Sequence, residues 1–220
     1  MPTSTVEDYL KHILLEEERV PGARVATGSL AGALGVTPGT VTTMVKTLSD
    51  SGLVDYEAYG GVRLTAAGRQ LGLHVLRRHR LMELFLVRTL GMDWSEVHEE
   101  AERLEHALSD RLVERIDEML GRPSVDPHGD PIPSAAGEVA GHELATLASL
   151  PVGRRARVAR VADQDAAFLR LVERLGLLPG TRVRVVARDA AADTLEVELG
   201  RGKSAALGLR AAEKIFVAPG

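Results

Sequence analysis

Hydrophobic residues recur at helical spacing through about the first 50 positions of the chain. In residues 4–18 apolar side chains lie three and four positions apart, which predicts an amphipathic helix with one buried face. A Pro-Gly pair then interrupts the pattern, and a short helix is expected over 30–34. Thr37 followed by Pro38 is typical of a helix N-terminus, so a third helix is expected over 38–51.

The pattern changes to alternation after the third helix. Residues 53–57 and 62–65 alternate apolar and polar side chains and are joined through Gly60 and Gly61, which predicts a β-hairpin. A helix, a short helix, another helix and a hairpin in this order are typical of a winged helix-turn-helix. We therefore interpret residues 1–65 as a winged helix-turn-helix DNA-binding domain.

Longer helices follow, and then short strands. The spacing predicts one helix over 66–90 and another from Asp93 or Ser95 to about residue 120, so that residues 66–121 form a helical domain. Residues 122–150 are rich in Pro, Gly, Ala and Ser and are interpreted as a linker. Residues 151–220 are expected to form a small β-barrel-like domain, with strands over 154–161, 181–187, 194–199 and 214–217 and a helix over 166–175. The predicted fold class is mainly α with a small β domain.

Composition limits the classes of function that remain. The 220 residues include no cysteine, which excludes disulfides and thiolate-bound zinc, so any metal must be held by carboxylates and imidazoles. The N-terminus carries acidic residues, and no segment is apolar enough to span a bilayer; we therefore expect a cytoplasmic protein with no membrane partner. The net charge of −4 counts against DNA binding, unless positive charge is concentrated locally or a bound cation adds to it.

The predicted recognition helix is rich in threonine. Side chains at the N-terminus of such a helix face base edges in the major groove, whereas basic residues reach phosphates. The candidates for DNA contact are Thr37, Pro38, Gly39, Thr40, Thr42, Thr43 and Lys46, together with Arg63 on the hairpin. Because this helix lacks Arg, Asn and Gln, we expect modest direct readout, supplemented by DNA shape and phosphate contacts. Alternatively, the threonines are ordinary helix surface.

Histidine and glutamate recur at helical spacing on the two long predicted helices. Four of them follow one another as i, i+4, i+7 and i+8 and share one face of a continuous helix: His98, Glu102, Glu105 and His106. The preceding helix carries His79 and Glu83 at i and i+4. Such groups on neighbouring helices can surround a divalent cation, although a solvated surface is the alternative. The zinc-protease pattern His-Glu-x-x-His is not matched, because Glu102 stands where the second histidine would be.

These motifs resemble those of the diphtheria toxin repressor family of metal-dependent transcriptional regulators, over nearly the whole chain. The resemblance rests on Val6-Glu7-Asp8-Tyr9-Leu10, Arg78-His79-Arg80-Leu81-Met82-Glu83, Val97-His98-Glu99-Glu100-Ala101-Glu102-Arg103-Leu104-Glu105-His106 and Pro127-His128-Gly129-Asp130-Pro131-Ile132-Pro133. It implies three parts: a winged helix-turn-helix domain, a helical dimerisation and metal-binding domain, and a C-terminal SH3-like β-barrel.

The resemblance also implies where metal ions bind. The primary site would comprise Asp8, Glu102, Glu105 and His106, and an ancillary site would comprise His79, Glu83 and His98. In the iron-responsive branch of the family, methionine and cysteine hold the positions of Asp8 and Glu102, whereas the manganese-responsive branch has carboxylates there, as this chain does. Oxygen-rich sites suit Mn(II), so the expected cofactor is Mn(II), with Fe(II) as the second possibility.

One position departs from the two-domain manganese regulators. These have a carboxylate at the position of Lys11, and a protonated lysine cannot bind a metal ion. The resemblance therefore implies the ancillary arrangement of the three-domain members, in which the SH3-like domain can add ligands. The candidates for such ligands are Asp163, Gln164 and Asp165.

These features predict a homodimeric, metal-activated repressor of metal-homeostasis genes that binds double-stranded operator DNA and is not an enzyme. A metal ion held by both Asp8 and His106 would fix the first helix against the dimerisation domain, and so set the spacing of two recognition helices. The alternative is a metal-independent winged-helix regulator that responds to a small organic ligand. A hydrolase is disfavoured, because no nucleophile beside a substrate cleft is evident.

Overall fold

The computed structural model describes residues 3–141 and 144–220, except for the side chain of Arg201. The described residues form two compact units. The N-terminal unit contains the chain up to His79 together with Leu104–Asp110 and Pro133–Val139. The C-terminal unit contains Arg80–Arg103, Arg111–Ile132 and the chain from Ala140 onward. Residues 142 and 143 of the predicted linker, like residues 1 and 2, lie outside the described part.

Three helices and a hairpin build the winged helix-turn-helix: α1 (Ser4–Arg19), α2 (Thr27–Leu34), α3 (Pro38–Asp50), β1 (Val54–Glu57) and β2 (Gly61–Leu64). The two strands are antiparallel, and the apolar side chains that recur at helical spacing pack with them into one core. This core includes Leu10, Ile13, Leu14, Leu30, Val41, Val45, Leu48, Val54 and Val62. The predicted winged helix-turn-helix is therefore confirmed, although α2 begins at Thr27, before its predicted start.

The helices that follow differ from the prediction at one point. α4 (Ala66–Leu90) has the predicted bounds and is followed by Gly91, whose φ of 68° terminates a helix readily. The single helix expected from about residue 95 to 120 is wrong, because α5 (Val97–Leu104) and α6 (Asp110–Met119) are separated by a 3₁₀ turn, Glu105–Ala107. Glu105 and His106 therefore do not share one face of a continuous helix with His98 and Glu102. No described helix is long and apolar enough to cross a membrane.

Six strands of the C-terminal unit form one antiparallel sheet in the order β3-β8-β4-β5-β6-β7. The strands are β3 (Ala145–Thr146), β4 (Arg155–Val161), β5 (Arg182–Asp189), β6 (Thr194–Leu199), β7 (Ser204–Gly208) and β8 (Ile215–Pro219). Two helices lie between strands in sequence, α7 (Ala166–Leu175) and α8 (Leu209–Glu213). Four strands and α7 match the predicted elements, whereas β3, β7 and α8 are additional to them.

The sheet is open, and the expected closed barrel is corrected to an open SH3-like sheet. β3 and β7 form its two edges and do not pair with each other in the described part of the chain. Along β4 and β5, buried residues alternate with exposed ones, so one face packs on the core and the other faces solvent. The mainly α fold with a small β domain is otherwise as predicted.

Candidate metal centres and DNA-reading helix

An imidazole and two carboxylates meet in the N-terminal unit. His106 Nε2 lies 2.9 Å from Asp8 Oδ1 and 3.6 Å from Glu105 Oε1. Ligand atoms of these three residues all lie within 4.8 Å of one another. Carboxylate oxygen and imidazole nitrogen are donors that suit Mn(II) and Fe(II). The structure thus brings together three of the four residues predicted for the primary site.

Tertiary contacts hold the Glu105 side chain just beyond the end of α5. Its side chain is 0% exposed, and its Oε1 accepts a hydrogen bond from Lys11 Nζ at 2.6 Å. Its Oε2 lies 2.6 Å from Nδ1 of His79, one of the predicted ancillary ligands. A buried carboxylate needs such partners, because an unpaired buried charge is costly. Lys11 stands where the two-domain manganese regulators have a carboxylate. It therefore places a positive charge beside the candidate primary site.

Glu7 belongs to this centre and was missed in the sequence. Its Oε2 lies 2.7 Å from His106 Nδ1, the ring nitrogen opposite the one that faces Asp8. A carboxylate on one nitrogen orients an imidazole, so that the other nitrogen is presented to a ligand. Glu7 directly precedes Asp8 in the first turns of α1, so its position beside a predicted ligand was visible in the sequence. A carboxylate that orients a histidine, however, has no spacing pattern of its own.

The charge around His106 favours a cation. Burial by itself would lower the pKa of His106, but the hydrogen bond to Glu7 and the negative charges of Asp8 and Glu105 raise it above its ordinary value. The same surroundings that stabilise a proton on the ring stabilise a divalent ion in its place. The residues present therefore fit the metal that the resemblance implies.

The other predicted ligands lie in the C-terminal unit, except His79. Glu102 lies on α5, where its Oε1 is 3.8 Å from His98 Nε2. His98 Nδ1 lies 3.2 Å from Oε1 of Glu83, on α4. Glu83 and His98, two of the three predicted ancillary ligands, are therefore in contact, whereas His79 contacts Glu105 in the N-terminal unit.

A second cluster in the C-terminal unit contains two residues that were missed in the sequence. Ligand atoms of Glu83, Asp126 and His128 lie within 4.8 Å of one another, and all three side chains are buried. Asp126 and His128 fall in the segment that the sequence analysis interprets as linker. The sequence feature that pointed to this segment is the motif at 127–133, which carries part of the family resemblance.

A tight turn holds this cluster in place. Asp126 Oδ1 accepts hydrogen bonds from the backbone N–H groups of His128 at 2.8 Å and Asp130 at 3.0 Å. Gly129 has a φ of +89°, and a Cβ there would lie 2.0 Å from the carbonyl oxygen of Ala159 on β4, so only glycine fits. The His128 carbonyl accepts a hydrogen bond from the Val161 N–H at 2.8 Å, which fastens the turn to the sheet.

His128 has a buried nitrogen available for a ligand. Its Nε2 lies 2.8 Å from the Trp94 carbonyl oxygen, which can only accept, so Nε2 carries a proton, and Nδ1 offers a lone pair when the ring is neutral. The ring is 0% exposed, Nδ1 makes no hydrogen bond within the described residues, and the nearest Glu83 oxygen is 3.8 Å away. A buried lone pair beside two carboxylates fits a divalent cation.

Asp126 shows the electrostatic cost of this cluster. Burial, with the negative charges of Glu83 and Asp130, raises the pKa of Asp126 to about 8. The guanidinium of Arg80 offsets this only partly, because its Nε is 3.8 Å from Asp126 Oδ2. A divalent cation would supply the missing positive charge.

Two of the three weaker candidates from the SH3-like domain, Asp163 and Asp165, make structural contacts. Asp165 caps α7 by accepting a hydrogen bond from the Phe168 N–H at 2.8 Å. Asp163 accepts one from the Asp165 N–H at 2.9 Å and also contacts the Lys214 ammonium. Gln164 Oε1 is buried and makes no hydrogen bond with a described residue. Within the described part of the chain, none of the three joins a cluster of metal-binding groups, and their role as ligands stays a prediction.

The recognition helix presents threonines, two of which already donate their hydroxyl protons within the helix. The Oγ1 atoms of Thr42 and Thr43 donate to the carbonyls of Pro38 and Gly39, four residues earlier, at 2.9 and 3.1 Å. The Thr37 hydroxyl caps α3 by accepting a hydrogen bond from the Thr40 N–H at 3.2 Å. Lys46 is exposed on the same helix. Arg63, the predicted hairpin contact, donates to the Gly22 carbonyl.

A winged helix with an exposed threonine-rich helix, joined to buried clusters of carboxylates and imidazoles, defines a metal-responsive DNA-binding regulator. Comparison with known proteins agrees over most of the chain. Residues 1–62 match the iron-dependent repressor N-terminal DNA-binding domain, 65–134 match the iron-dependent repressor metal-binding and dimerisation domain, and 145–219 match the FeoA domain.

Similar proteins give the same result. The iron-dependent repressor IdeR of Mycobacterium tuberculosis is 34% identical over 194 residues, which cover 82% of this chain and 83% of the relative. The regulator MntR of Lysinibacillus sphaericus is 38% identical over 120 residues, 54% of this chain and 84% of the relative. A solved structure described as a manganese-dependent transcriptional repressor in complex with manganese is 42% identical, covers 97% of this chain and 99% of that chain, and has a TM-score of 0.89.

The chain therefore belongs to the diphtheria toxin repressor family of iron- and manganese-dependent transcriptional repressors. The family consists of DNA-binding regulators and not of enzymes, as the sequence predicts. A metal-independent regulator controlled by an organic ligand is not favoured.

Proposed function

We propose that the protein is a homodimeric repressor of metal-homeostasis genes that binds its operator when Mn(II), or secondarily Fe(II), occupies the Asp8–Glu105–His106 centre. The observation that carries the proposal is the 2.9 Å approach of His106 Nε2 to Asp8 Oδ1, with Glu105 beside them. The donors are oxygen and nitrogen without sulfur, which favours Mn(II). Similar proteins described as manganese-dependent and iron-dependent repressors support both metals. Because the ligand is operator DNA, the proposal places the protein in the cytoplasm.

The residues of the centre lie where they can influence DNA binding. Asp8 is on α1, whose apolar face packs in the same core as Val41 and Val45 of α3, so the position of α1 and that of the recognition helix are coupled. Glu105 and His106 follow α5, which lies in the region matched to the dimerisation domain. A bound ion supplies positive charge that holds these carboxylates and the imidazole together. Glu7 orients His106, and Lys11 holds Glu105. The resemblance adds Glu102 as the fourth ligand.

We propose a second ion at Glu83, Asp126 and His128, with His98 in contact with Glu83. The support is the buried Nδ1 of His128, which makes no hydrogen bond with a described residue, and the excess of negative charge around it. His79, which the resemblance assigns to an ancillary site with Glu83 and His98, remains an alternative ligand. Counting bound Mn(II) per chain in His128→Gln and in the wild type tests this, since the variant is expected to bind one ion fewer. An unchanged count contradicts the second site.

The switch itself is tested with the DNA upstream of the protein's own gene. We expect binding with Mn(II) and no binding with a chelator, and we expect Asp8→Ala to lose the response to metal. Glu18→Ala, on an exposed part of the same helix, is the matched control and should behave as the wild type. Equal binding of the wild type with chelator and with Mn(II) would contradict the proposal. The order of response to Mn(II), Fe(II) and Zn(II) separates the two cofactor assignments.

A further inference from the structure

Positive charge is distributed unevenly along the chain. Residues 145–220 contain 13 Lys and Arg against 8 Asp and Glu, a net charge of +5. Residues 1–144 contain 14 Lys and Arg against 23 Asp and Glu, a net charge of −9. The region with the recognition helix is therefore acidic and the SH3-like sheet is basic, although binding to the DNA backbone requires positive charge.

Few cations of the winged helix-turn-helix are available for phosphates. Residues 1–65 contain five basic side chains, and four of them contact other groups of the protein. Lys11 is buried against Glu105, Arg19 pairs with Glu16, Arg24 pairs with Asp55, and Arg63 donates to the Gly22 carbonyl. Lys46 and Arg63 are exposed and make no ion pair with a described residue, so these two remain available for phosphates. A duplex-binding protein usually neutralises several phosphates, so further cations are needed.

Four arginines form a compact block on the solvent face of the SH3-like sheet. Arg155 of β4 lies directly opposite Arg184 of β5, and Arg157 lies opposite Arg182. Residues directly opposite each other in antiparallel strands share a face, and their Cβ atoms lie about 5 Å apart. Ala156 and Val183, which alternate with the arginines, are 2% and 3% exposed on the core side. The four side chains are called the arginine patch below.

The arginine patch is incompletely neutralised. Glu198 on β6 pairs with Arg184, with Oε2 2.8 Å from Nε, and Arg157 donates to the Gly180 carbonyl at 2.9 Å. Arg155 and Arg182 are exposed and make no ion pair with a described residue. Four arginines and one glutamate give the patch a local charge of +3. Like charges directly opposite in a sheet destabilise it, so an external anion would relieve the repulsion.

We propose that the arginine patch binds the phosphate backbone of duplex DNA, as a second DNA-contacting surface of this repressor. The inference rests on the proposed function, because the recognition helix of the same chain brings DNA to it. Once one surface holds the duplex, the other binds at a high effective concentration, so weak phosphate contacts contribute substantially. Guanidinium groups suit this role, because each presents several N–H donors to phosphate oxygens.

The experiment compares the salt dependence of DNA binding in charge-matched variants of the full chain. Arg155→Gln/Arg182→Gln removes two charges from the patch, and Arg174→Gln/Arg210→Gln removes two from exposed positions on α7 and α8. Each protein, saturated with Mn(II), is titrated onto a labelled duplex of its own upstream DNA at salt concentrations from about 50 to 200 mM. Arg155→Lys/Arg182→Lys keeps the charge and reports on folding of the altered sheet.

The patch variant is expected to lower the slope of log affinity against log salt by about 1.8 for each chain whose patch contacts DNA, or about 3.6 for the homodimer, and to lose about tenfold or more in affinity near 0.1 M salt. The lysine variant should keep most of the slope, and the control variant should stay close to the wild type. The proposal would be overturned if the patch variant and the wild type had equal salt slopes. It would also be overturned if the patch variant and the control variant lost equal affinity. Binding to anionic lipid vesicles with an unchanged DNA slope would overturn it too.

The two proposals fail in different ways. Wild-type protein that binds the duplex equally well with chelator contradicts the metal switch, while the comparison of slopes still decides the role of the patch. Wild-type protein that binds no duplex at any salt concentration contradicts both.

Discussion

Lys11 Nζ lies 2.6 Å from Glu105 Oε1, and the two side chains are 1% and 0% exposed. The same carboxylate belongs to the candidate primary metal centre, with Asp8 and His106. An ammonium group inside the protein thus neutralises part of the charge that a metal ion would otherwise neutralise alone. A carboxylate at this position would instead add a ligand.

Replacing this lysine is expected to destabilise the metal-free protein strongly. Lys11→Met leaves Glu105 buried without its cation, and the loss of one partner of a buried pair costs about 3–5 kcal/mol. Mn(II) should recover part of the loss, because the ion restores positive charge beside Glu105. Urea unfolding with chelator and with Mn(II) measures both effects. Lys46→Met, at an exposed position, should change the free energy of unfolding by less than about 0.5 kcal/mol. Unchanged stability of Lys11→Met in chelator would contradict this account.

The threonines of α3 predict which base edges are read. Because the hydroxyls of Thr42 and Thr43 donate to helix carbonyls, each oxygen can only accept from DNA, and each γ-methyl can pack on a thymine methyl. Adenine and cytosine present donors in the major groove, whereas guanine presents only acceptors there. We therefore expect A·T-rich recognition, with guanine edges poorly read by this helix.

Modified operators test this readout. Replacing contacted thymines by uracil should weaken metal-dependent binding by about 1 kcal/mol or more per contacted base, while 7-deazaguanine should have little effect. Thr43→Ser, which lacks the methyl, should lose the discrimination between thymine and uracil, and Thr43→Val should keep it. A strong effect of 7-deazaguanine, or undiminished discrimination in Thr43→Ser, would refute the assignment.

The N-terminal fold was predictable because local signals agree there. The apolar spacing of α1 and α3, the Thr37 cap and the glycines of the hairpin all indicate the same elements. The break after Leu104 was not predictable, since the periodicity continues through Glu105 and His106. Glu105, the first residue after the helix, makes a buried ion pair with Lys11, 94 positions away in sequence, and periodicity cannot reveal such a contact. β7 was missed because its Ala- and Gly-rich segment lacks the β-branched residues that mark strands.

The candidate sites likewise include residues that the sequence reveals and residues that only the folded chain brings together. Asp8 was found by resemblance, and Glu105 and His106 were found by spacing and by resemblance. The structure brings the three together, although Glu105 and His106 do not continue the helical face of His98 and Glu102. Asp126 and His128 were missed because ligands in an irregular turn have no period to reveal them. Their placement depends on Gly129 fitting against Ala159, a contact between distant segments of the chain.

Asp110 provides a prediction about pH. Hydrogen bonds from Arg78 and His74, each 2.9 Å from Asp110 Oδ1, lower the pKa of Asp110 below its ordinary 3.8. An acid whose pKa is lowered by folding stabilises the folded state above the unfolded pKa, and this stabilisation is lost as pH falls through the folded pKa. Asp110→Asn should therefore reduce the free energy of unfolding by up to about 1 kcal/mol at neutral pH, because the carboxylate is largely exposed.

The difference between Asp110→Asn and the wild type should stay constant between about pH 7 and 5 and shrink only below the unfolded pKa. Urea unfolding across this range measures it, with Asp50→Asn, an exposed carboxylate on α3, as the control. A difference that grows towards acid pH would show that the two hydrogen bonds do not favour the ionised form.

Substitution of Asp126 is expected to affect the stability of the metal-free protein and the binding of the second ion in opposite directions. Its pKa is raised to about 8 by burial and by the charges of Glu83 and Asp130, so near neutral pH the folded protein holds a proton that the unfolded chain releases. This lowers the free energy of unfolding in the absence of metal. Asparagine keeps an oxygen that can accept the hydrogen bonds of His128 and Asp130 and removes the charge. Asp126→Asn should therefore stabilise the metal-free protein by about 1–3 kcal/mol.

With saturating Mn(II) the effect of Asp126→Asn should reverse, because the variant lacks an anionic ligand for the second ion and gains less stability from metal. Unfolding curves with chelator and with Mn(II) should cross between variant and wild type. Glu173→Gln, an exposed carboxylate on α7, should show neither change. Lower stability of Asp126→Asn under both conditions would mean that the carboxylate serves the fold, through Arg80 and the turn, and that the second ion binds elsewhere.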